Sequence, residues 1–228
     1  METKQFKGVG LPYSVVEPDR YDLDHPYPLV ILMHGYGSHM GDLVSLSPHI
    51  STDGYLFAFP NAPLRIEIGL GMVGFAWSSP PELEFDPDGS AERLVEKFIT
   101  EIFQRYKIKP GHVVLGGFSQ GGMMAYRHGL RYPDKFRGLV SLSSRISRSD
   151  IPTEEDISQA CQSIFISHGT LDEVIPIDAG HIARDLLTEK GYSTDYHEYE
   201  MAHQITQEVI EDLSAWLQSI VPKDAGKF

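Results

Sequence analysis

An α/β fold, with a mostly parallel central sheet and helices on both faces, is predicted by three observations. Short apolar runs rich in β-branched and aromatic residues recur along the chain, as buried strands require. Between them lie longer stretches whose apolar residues return at helical spacing, and the regular alternation reads as successive strand–helix–strand units. The chain has 228 residues, enough for one sizeable core and short for two ordinary domains, so a single domain over 1–228 is expected.

The elements follow in order. The opening stretch FKGVGLPYSVVEP is expected to add an antiparallel edge to the sheet. LVILMH (29–34) and YLFAF (55–59) are the first buried strands. Residues 60–89 lack clear periodicity, and long irregular segments in compact domains are usually functional, so this one is expected to cover a substrate. SAERLVEKFITEIFQRY (90–106) places Leu94, Val95, Phe98, Ile102 and Phe103 on one helical face, with Ser90 as its N-cap. Strands are predicted at HVVLGGF (112–118), GLVSLSS (138–144), SIFISH (163–168) and, less apolar, TDYHEYE (194–200). Helices are predicted over QGGMMAYRHGLRY, over 176–191 and over the amphipathic stretch HQITQEVIEDLSAWLQSI (203–220).

Composition narrows the function classes. Hydrophobic residues make up 41% and charged residues 22%, the ordinary range for a globular chain. A net charge of −13 argues against nucleic acid and against anionic membranes as partners. The one cysteine, Cys161, excludes an internal disulfide and a zinc cluster; a buried, inert thiol is the expected role. No signal-peptide pattern opens the chain, and no run approaches the roughly 18 apolar residues of a membrane span. A cytoplasmic location without stable membrane insertion is therefore expected. Monomer and homodimer both stay open.

The chemistry concentrates in VLGGFSQGGM (114–123). Gly117-x-Ser119-x-Gly121 after an apolar run matches the nucleophile elbow, where a strand ends, the chain turns sharply through serine, and a helix begins. Open parallel sheets bind ligands at the carboxyl ends of their strands. Two further reactive side chains fall there: Asp172 after SIFISHGT, and His203 after TDYHEYEMA, where it opens the last helix. The order Ser, Asp, His is that of the α/β-hydrolase arrangement. A serine hydroxyl needs a base, a neutral histidine can supply one, and a buried carboxylate fixes the imidazole tautomer. The developing oxyanion needs backbone N–H donors. Gln120, directly after the nucleophile, is expected to give one, and Tyr36 in the HGYG loop the other. No HExxH or Cys/His ligand spacing accompanies these residues, so no metal and no cofactor are expected, and the expected partner is a small-molecule ester.

LMHGYG, GFSQGG, HGTLDEVIP and the MAH before the last helix together resemble the phospholipase/carboxylesterase family, which includes the acyl-protein thioesterases. The resemblance runs in order from about residue 28 to 218. It implies an α/β-hydrolase fold, a triad of Ser119, Asp172 and His203, and an oxyanion hole at Tyr36 and Gln120. It also implies hydrolysis of carboxylic esters, with lysophospholipids and acyl thioesters as further substrates in some members. Many members carry Trp-Phe-Asp in the loop after the third strand, whereas here Trp77 is followed by Ser78 and Ser79. That departure bears on the substrate and not on the reaction. A short- to medium-chain carboxylesterase is the leading expectation, with thioesterase or lysophospholipase as the alternative.

Blander readings stand beside these. His34 and His168 each precede glycine at a strand end and suit structural hydrogen bonding; His39 suits a surface loop. Glu173 is the acidic rival of Asp172. Met72, Phe75 and Trp77 have two open roles, a satellite core beneath the loop or a substrate-binding acyl wall. The rival of a different class is a non-catalytic binding protein on the same fold, which commonly loses a member of the triad. All three members are present.

Overall fold

The computed structural model describes residues 1–79, 85, 86, 88–152 and 162–223. Cys161 and Leu83 lie outside the described residues. Apolar runs pair into one eight-stranded sheet built from β1 (Glu2–Phe6), β2 (Tyr13–Glu17), β3 (Tyr27–Met33), β4 (Leu56–Pro60), β7 (Ile108–Phe118), β8 (Gly138–Leu142), β9 (Ser163–Gly169) and β10 (Ser193–Tyr199). Its order is β1-β2-β4-β3-β7-β8-β9-β10. β1 and β2 form the antiparallel edge, and from β4 to β10 every neighbouring pair is parallel.

The alternation of side chains along the central strands divides the core. Leu29, Ile31 and Met33 of β3 point to one face, packed with α2 (Ser90–Arg105), α3 (Gln120–Gly129) and α4 (Asp178–Glu189). Val30 and Leu32 point to the other, where Val209, Leu213, Trp216 and Leu217 of α5 (Gln207–Ile220) and Ile50 of the short α1 (Ser47–Ile50) cover them. Helices thus cover both faces, and the fold is the expected α/β-hydrolase architecture.

Topology places the site. From β3 the chain first moves to β4 on one side, then returns to β7 on the other. The carboxyl ends of β3 and β7 therefore flank a reversal of strand order, where open α/β sheets form a crevice. The HGYG loop leaves β3 there, and Ser119 follows β7.

Three expectations change. Residues 60–89 are not irregular throughout: β5 (Leu64–Glu67) and β6 (Val73–Ala76) form an antiparallel hairpin apart from the main sheet. Gly69 and Gly71 sit in its turn at φ +95° and +74°. Ser90 is not the cap of α2: Gly89 occupies that position without a side-chain bond, and the Asp86 carboxylate accepts from Ala91 N and Glu92 N at 3.1 and 3.0 Å. Finally, the last helix begins at Gln207, so His203 stands in the loop before it.

Candidate active site

Ser119 follows β7 and caps α3 at φ +55°, ψ −119°, a backbone state costly for any residue bearing a Cβ. Its neighbours fix it there. Ser119 N donates to Leu142 O at 2.9 Å, and Ser119 O accepts from Gly122 N, Met123 N and the Ser144 hydroxyl. Serine itself thus takes the left-handed turn. The glycines of the motif serve close approach, since a Cβ on Gly121 would lie 2.0 Å from Met33 O and one on Gly117 2.5 Å from the same oxygen.

Asp172 and His203 are brought together from separate loops. Thr170 N donates to Tyr199 O at 2.8 Å and Leu171 N to Met201 O at 3.1 Å, which ties the loop after β9 to the loop after β10. Asp172 Oδ2 then lies 2.7 Å from His203 Nδ1, while Asp172 Oδ1 accepts from Val174 N and Ile175 N at 2.9 and 2.8 Å. The carboxylate is fully buried, and these donors compensate its charge. Glu173 points outward and is exposed. The Phe118 ring, next to the serine, packs against the His203 ring at a tilt of 43°, with centroids 4.7 Å apart. Among the described residues the Ser119 hydroxyl makes no hydrogen bond. Catalytic bonds of this kind commonly tighten only when substrate is present.

The HGYG loop lies against the elbow: a Cβ on Gly35 would sit 3.3 Å from Ser119 Cβ. Among the described residues neither Tyr36 N–H nor Gln120 N–H has an acceptor, and Gln120 opens α3, where the helix dipole favours an anion. Tyr36 itself is exposed at 45%.

His34 and His168 keep structural roles. His34 is buried; its Nε2 accepts from Ala62 N at 3.0 Å, so Nδ1 carries the proton and donates to Gly35 O at 2.8 Å. Burial pushes its pKa down to about 4. The unfolded chain takes up this proton near pH 6.5 while the folded chain refuses it until about pH 4. The contribution of His34 is therefore complete above pH 6.5 and is lost as pH falls, to a total of about 3 kcal/mol. Urea unfolding across this range is expected to show that loss, and His34→Gln, which keeps an acceptor for Ala62 N, should flatten it. An equally steep profile in the variant would place the titration elsewhere. His168 is buried, with Nε2 donating to Ile175 O at 2.8 Å and lying 3.6 Å from Asp172 Oδ2. His39 is on the exposed loop, as expected.

Of the two roles open to Trp77, a core residue or a substrate-binding wall, the structure places it in the core. Its side chain is 1% exposed, and its indole N–H donates to His34 O at 2.8 Å. The buried carbonyl gives the indole a partner that an acyl chain could not offer. Trp77→Ala is expected to cost about 3–5 kcal/mol of stability and to depress turnover of acetyl and octanoyl esters alike. Loss confined to octanoyl esters at an unchanged melting temperature would restore the acyl-wall role. Phe75 packs partly on the core, while Met72 is 55% exposed on the hairpin.

What the sequence did not suggest is how the hairpin joins the site. Gly37 N donates to Phe75 O and Phe75 N to Ser38 O, both at 2.9 Å, so β6 bridges the loop carrying Tyr36. Gly74 lies against that loop, where a Cβ would meet Gly37 O at 2.0 Å. The Gln120 side chain accepts from Trp77 N and donates to Ser78 O, each at 3.0 Å.

Residues 14–221 match the family described as phospholipase/carboxylesterase. The acyl-protein thioesterase 1 of Emericella nidulans is 29% identical over 221 residues, covering 86% of this chain and 92% of that protein. The acyl-protein thioesterase 1 of Aspergillus fumigatus is 30% identical over 215 residues, covering 86% and 88%. Among solved structures, that of esterase PE8 superposes with a TM-score of 0.74 at 26% identity, over 90% of this chain and 97% of that one.

Proposed function

The chain belongs to the phospholipase/carboxylesterase family, and on that premise we propose that it hydrolyses carboxylic esters through an acyl-enzyme on Ser119. One observation carries the reading: a buried carboxylate 2.7 Å from a histidine whose ring lies against Phe118, the residue directly before a serine held in the strained turn at a helix N-terminus. In this reading His203 Nε2 takes the Ser119 proton as Oγ bonds to the substrate carbonyl carbon. The oxyanion that forms is met by Tyr36 N–H and Gln120 N–H. His203 then gives the proton to the departing alcohol as the ester bond breaks. Water repeats the sequence on the acyl-enzyme and releases the acid. Asp172 keeps the proton on Nδ1, leaving Nε2 free to accept.

The hairpin carries the acyl preference in this reading, through Met72 and the part-exposed Phe75. Each buried methylene adds at most about 0.8 kcal/mol, so discrimination between chain lengths is graded, and a two-stranded flap limits the groove to short and medium chains. A second reading, thioester hydrolysis, is favoured by the names of the relatives, both acyl-protein thioesterase 1 at 29% and 30% identity. The acyl-enzyme is the same; only the leaving group differs.

A panel of p-nitrophenyl esters from acetyl to octanoyl, run beside octanoyl-CoA and lysophosphatidylcholine, tests the proposal. Turnover of the esters is expected, undiminished by EDTA. A kcat/KM for octanoyl-CoA above that of the octanoyl ester would favour the thioester reading. No turnover of any acyl compound, or activity lost to EDTA and restored by zinc, would overturn both.

A further inference from the structure

We propose that the Gln120 side chain is a positioning residue, which fastens one oxyanion donor to the β5–β6 hairpin and makes that hairpin the common frame of both donors. The inference rests on the serine-hydrolase reading above. The two N–H groups come from loops at the ends of different strands, Tyr36 after β3 and Gln120 after β7. Within the main sheet their spacing is left to two separate turns. The hairpin joins them. Phe75 exchanges two backbone hydrogen bonds with Gly37 and Ser38, immediately after Tyr36. Two residues on, Trp77 N–H and Ser78 C=O are held by the amide of Gln120. One strand and its exit therefore touch both donor-bearing loops within four residues.

The chemistry of the amide fits this position and no close relative does. Oε1 faces an N–H and Nε2 faces a carbonyl, so both ends are matched, and the flipped amide would set donor against donor and acceptor against acceptor. A glutamate carboxylate would accept from Trp77 N but present a lone pair to Ser78 O. An alanine would leave both backbone groups unheld while retaining its own N–H. The donor would survive in either variant; its direction would not. Oxyanion stabilisation depends on donors set in advance at the position of the charge, and loss of one donor typically lowers kcat by about 10²–10³-fold.

The test uses the full chain with Gln120→Ala and Gln120→Glu at about pH 8. Both variants are expected to lose kcat by about 10- to 100-fold, less than loss of a donor outright. KM for acetyl and octanoyl p-nitrophenyl esters should change little, because the interaction is made in the transition state. Affinity for a trifluoromethyl ketone should fall by the same factor as kcat, since Ser119 adds to its carbonyl carbon and leaves an oxyanion in the same hole. A residue that only stabilised the fold would not link kcat to hemiketal affinity while sparing KM. If alanine prevents folding, the near-isosteric glutamate decides. A kcat within about threefold of wild type, or a loss seen in KM alone, would overturn the proposal. The serine-hydrolase reading fails separately, if the unsubstituted protein neither turns over esters nor reacts with a fluorophosphonate at Ser119.

Discussion

Replacing Ser119 with alanine is expected to lower kcat by about 10⁴-fold or more and to abolish labelling by a fluorophosphonate. The proposed nucleophile is the last atom of a chain of placements, each visible in the structure. The turn at φ +55° puts the side chain at the crevice, four hydrogen bonds to the Ser119 backbone maintain the turn, and α3 begins directly behind it. None of these uses the hydroxyl, which makes no hydrogen bond among the described residues. Alanine also carries a Cβ, so it meets the same backbone cost at positive φ. The variant should therefore fold with an unchanged melting temperature while losing the chemistry. Labelling that persists on another serine, or esterase activity that survives, would remove Ser119 from the mechanism.

Such placements show which parts of the site sequence reasoning can reach. Continuous apolar runs and helical patterns reveal the central strands and the helices, because burial on both faces of a sheet or along a helix stripe is a local rule. The positions of Ser119, Asp172 and His203 follow from those elements and the strand-end rule, with no knowledge of distant contacts. The hairpin escaped because each of its strands is only four residues long, too short to show a clear period, while Gly69 and Gly71 form its turn and Gly74 allows close approach to Gly37. Trp77 kept two open roles for a different reason. An aromatic in a glycine-rich loop looks available to a ligand until the carbonyl of His34, 43 positions away, supplies its partner. The side chain of Gln120 was equally invisible, since both its partners lie more than 40 residues off. His203 was expected to open the helix because Ile205, Val209 and Leu213 return at every fourth residue, which extends the helical pattern upstream of the first turn at Gln207.

Asp172→Asn is the second large effect expected, a fall in kcat of about 10⁴-fold with the fold intact. The orientation of the asparagine amide decides it. Two backbone donors, Val174 N and Ile175 N, converge on Oδ1 at 2.9 and 2.8 Å, so the amide oxygen must stay there, because its NH₂ would oppose both. The NH₂ is thereby forced onto the side facing His203 Nδ1, where Oδ2 now stands at 2.7 Å. Nδ1 can meet that donor only by giving up its own proton, which moves the imidazole hydrogen to Nε2. A protonated Nε2 cannot accept from Ser119, and a neutral ring can hold no second proton without becoming cationic. Activity is lost through the tautomer and not through displacement of the ring. Asp172→Ala is the structural control: it leaves both backbone donors without an acceptor, at about 1–3 kcal/mol for each buried group, and should lower the melting temperature as well as the rate. The two variants thus separate the roles of the carboxylate. An asparagine variant that kept near wild-type kcat and reacted with fluorophosphonate at the normal rate would reduce Asp172 to an anchor for the loop after β9.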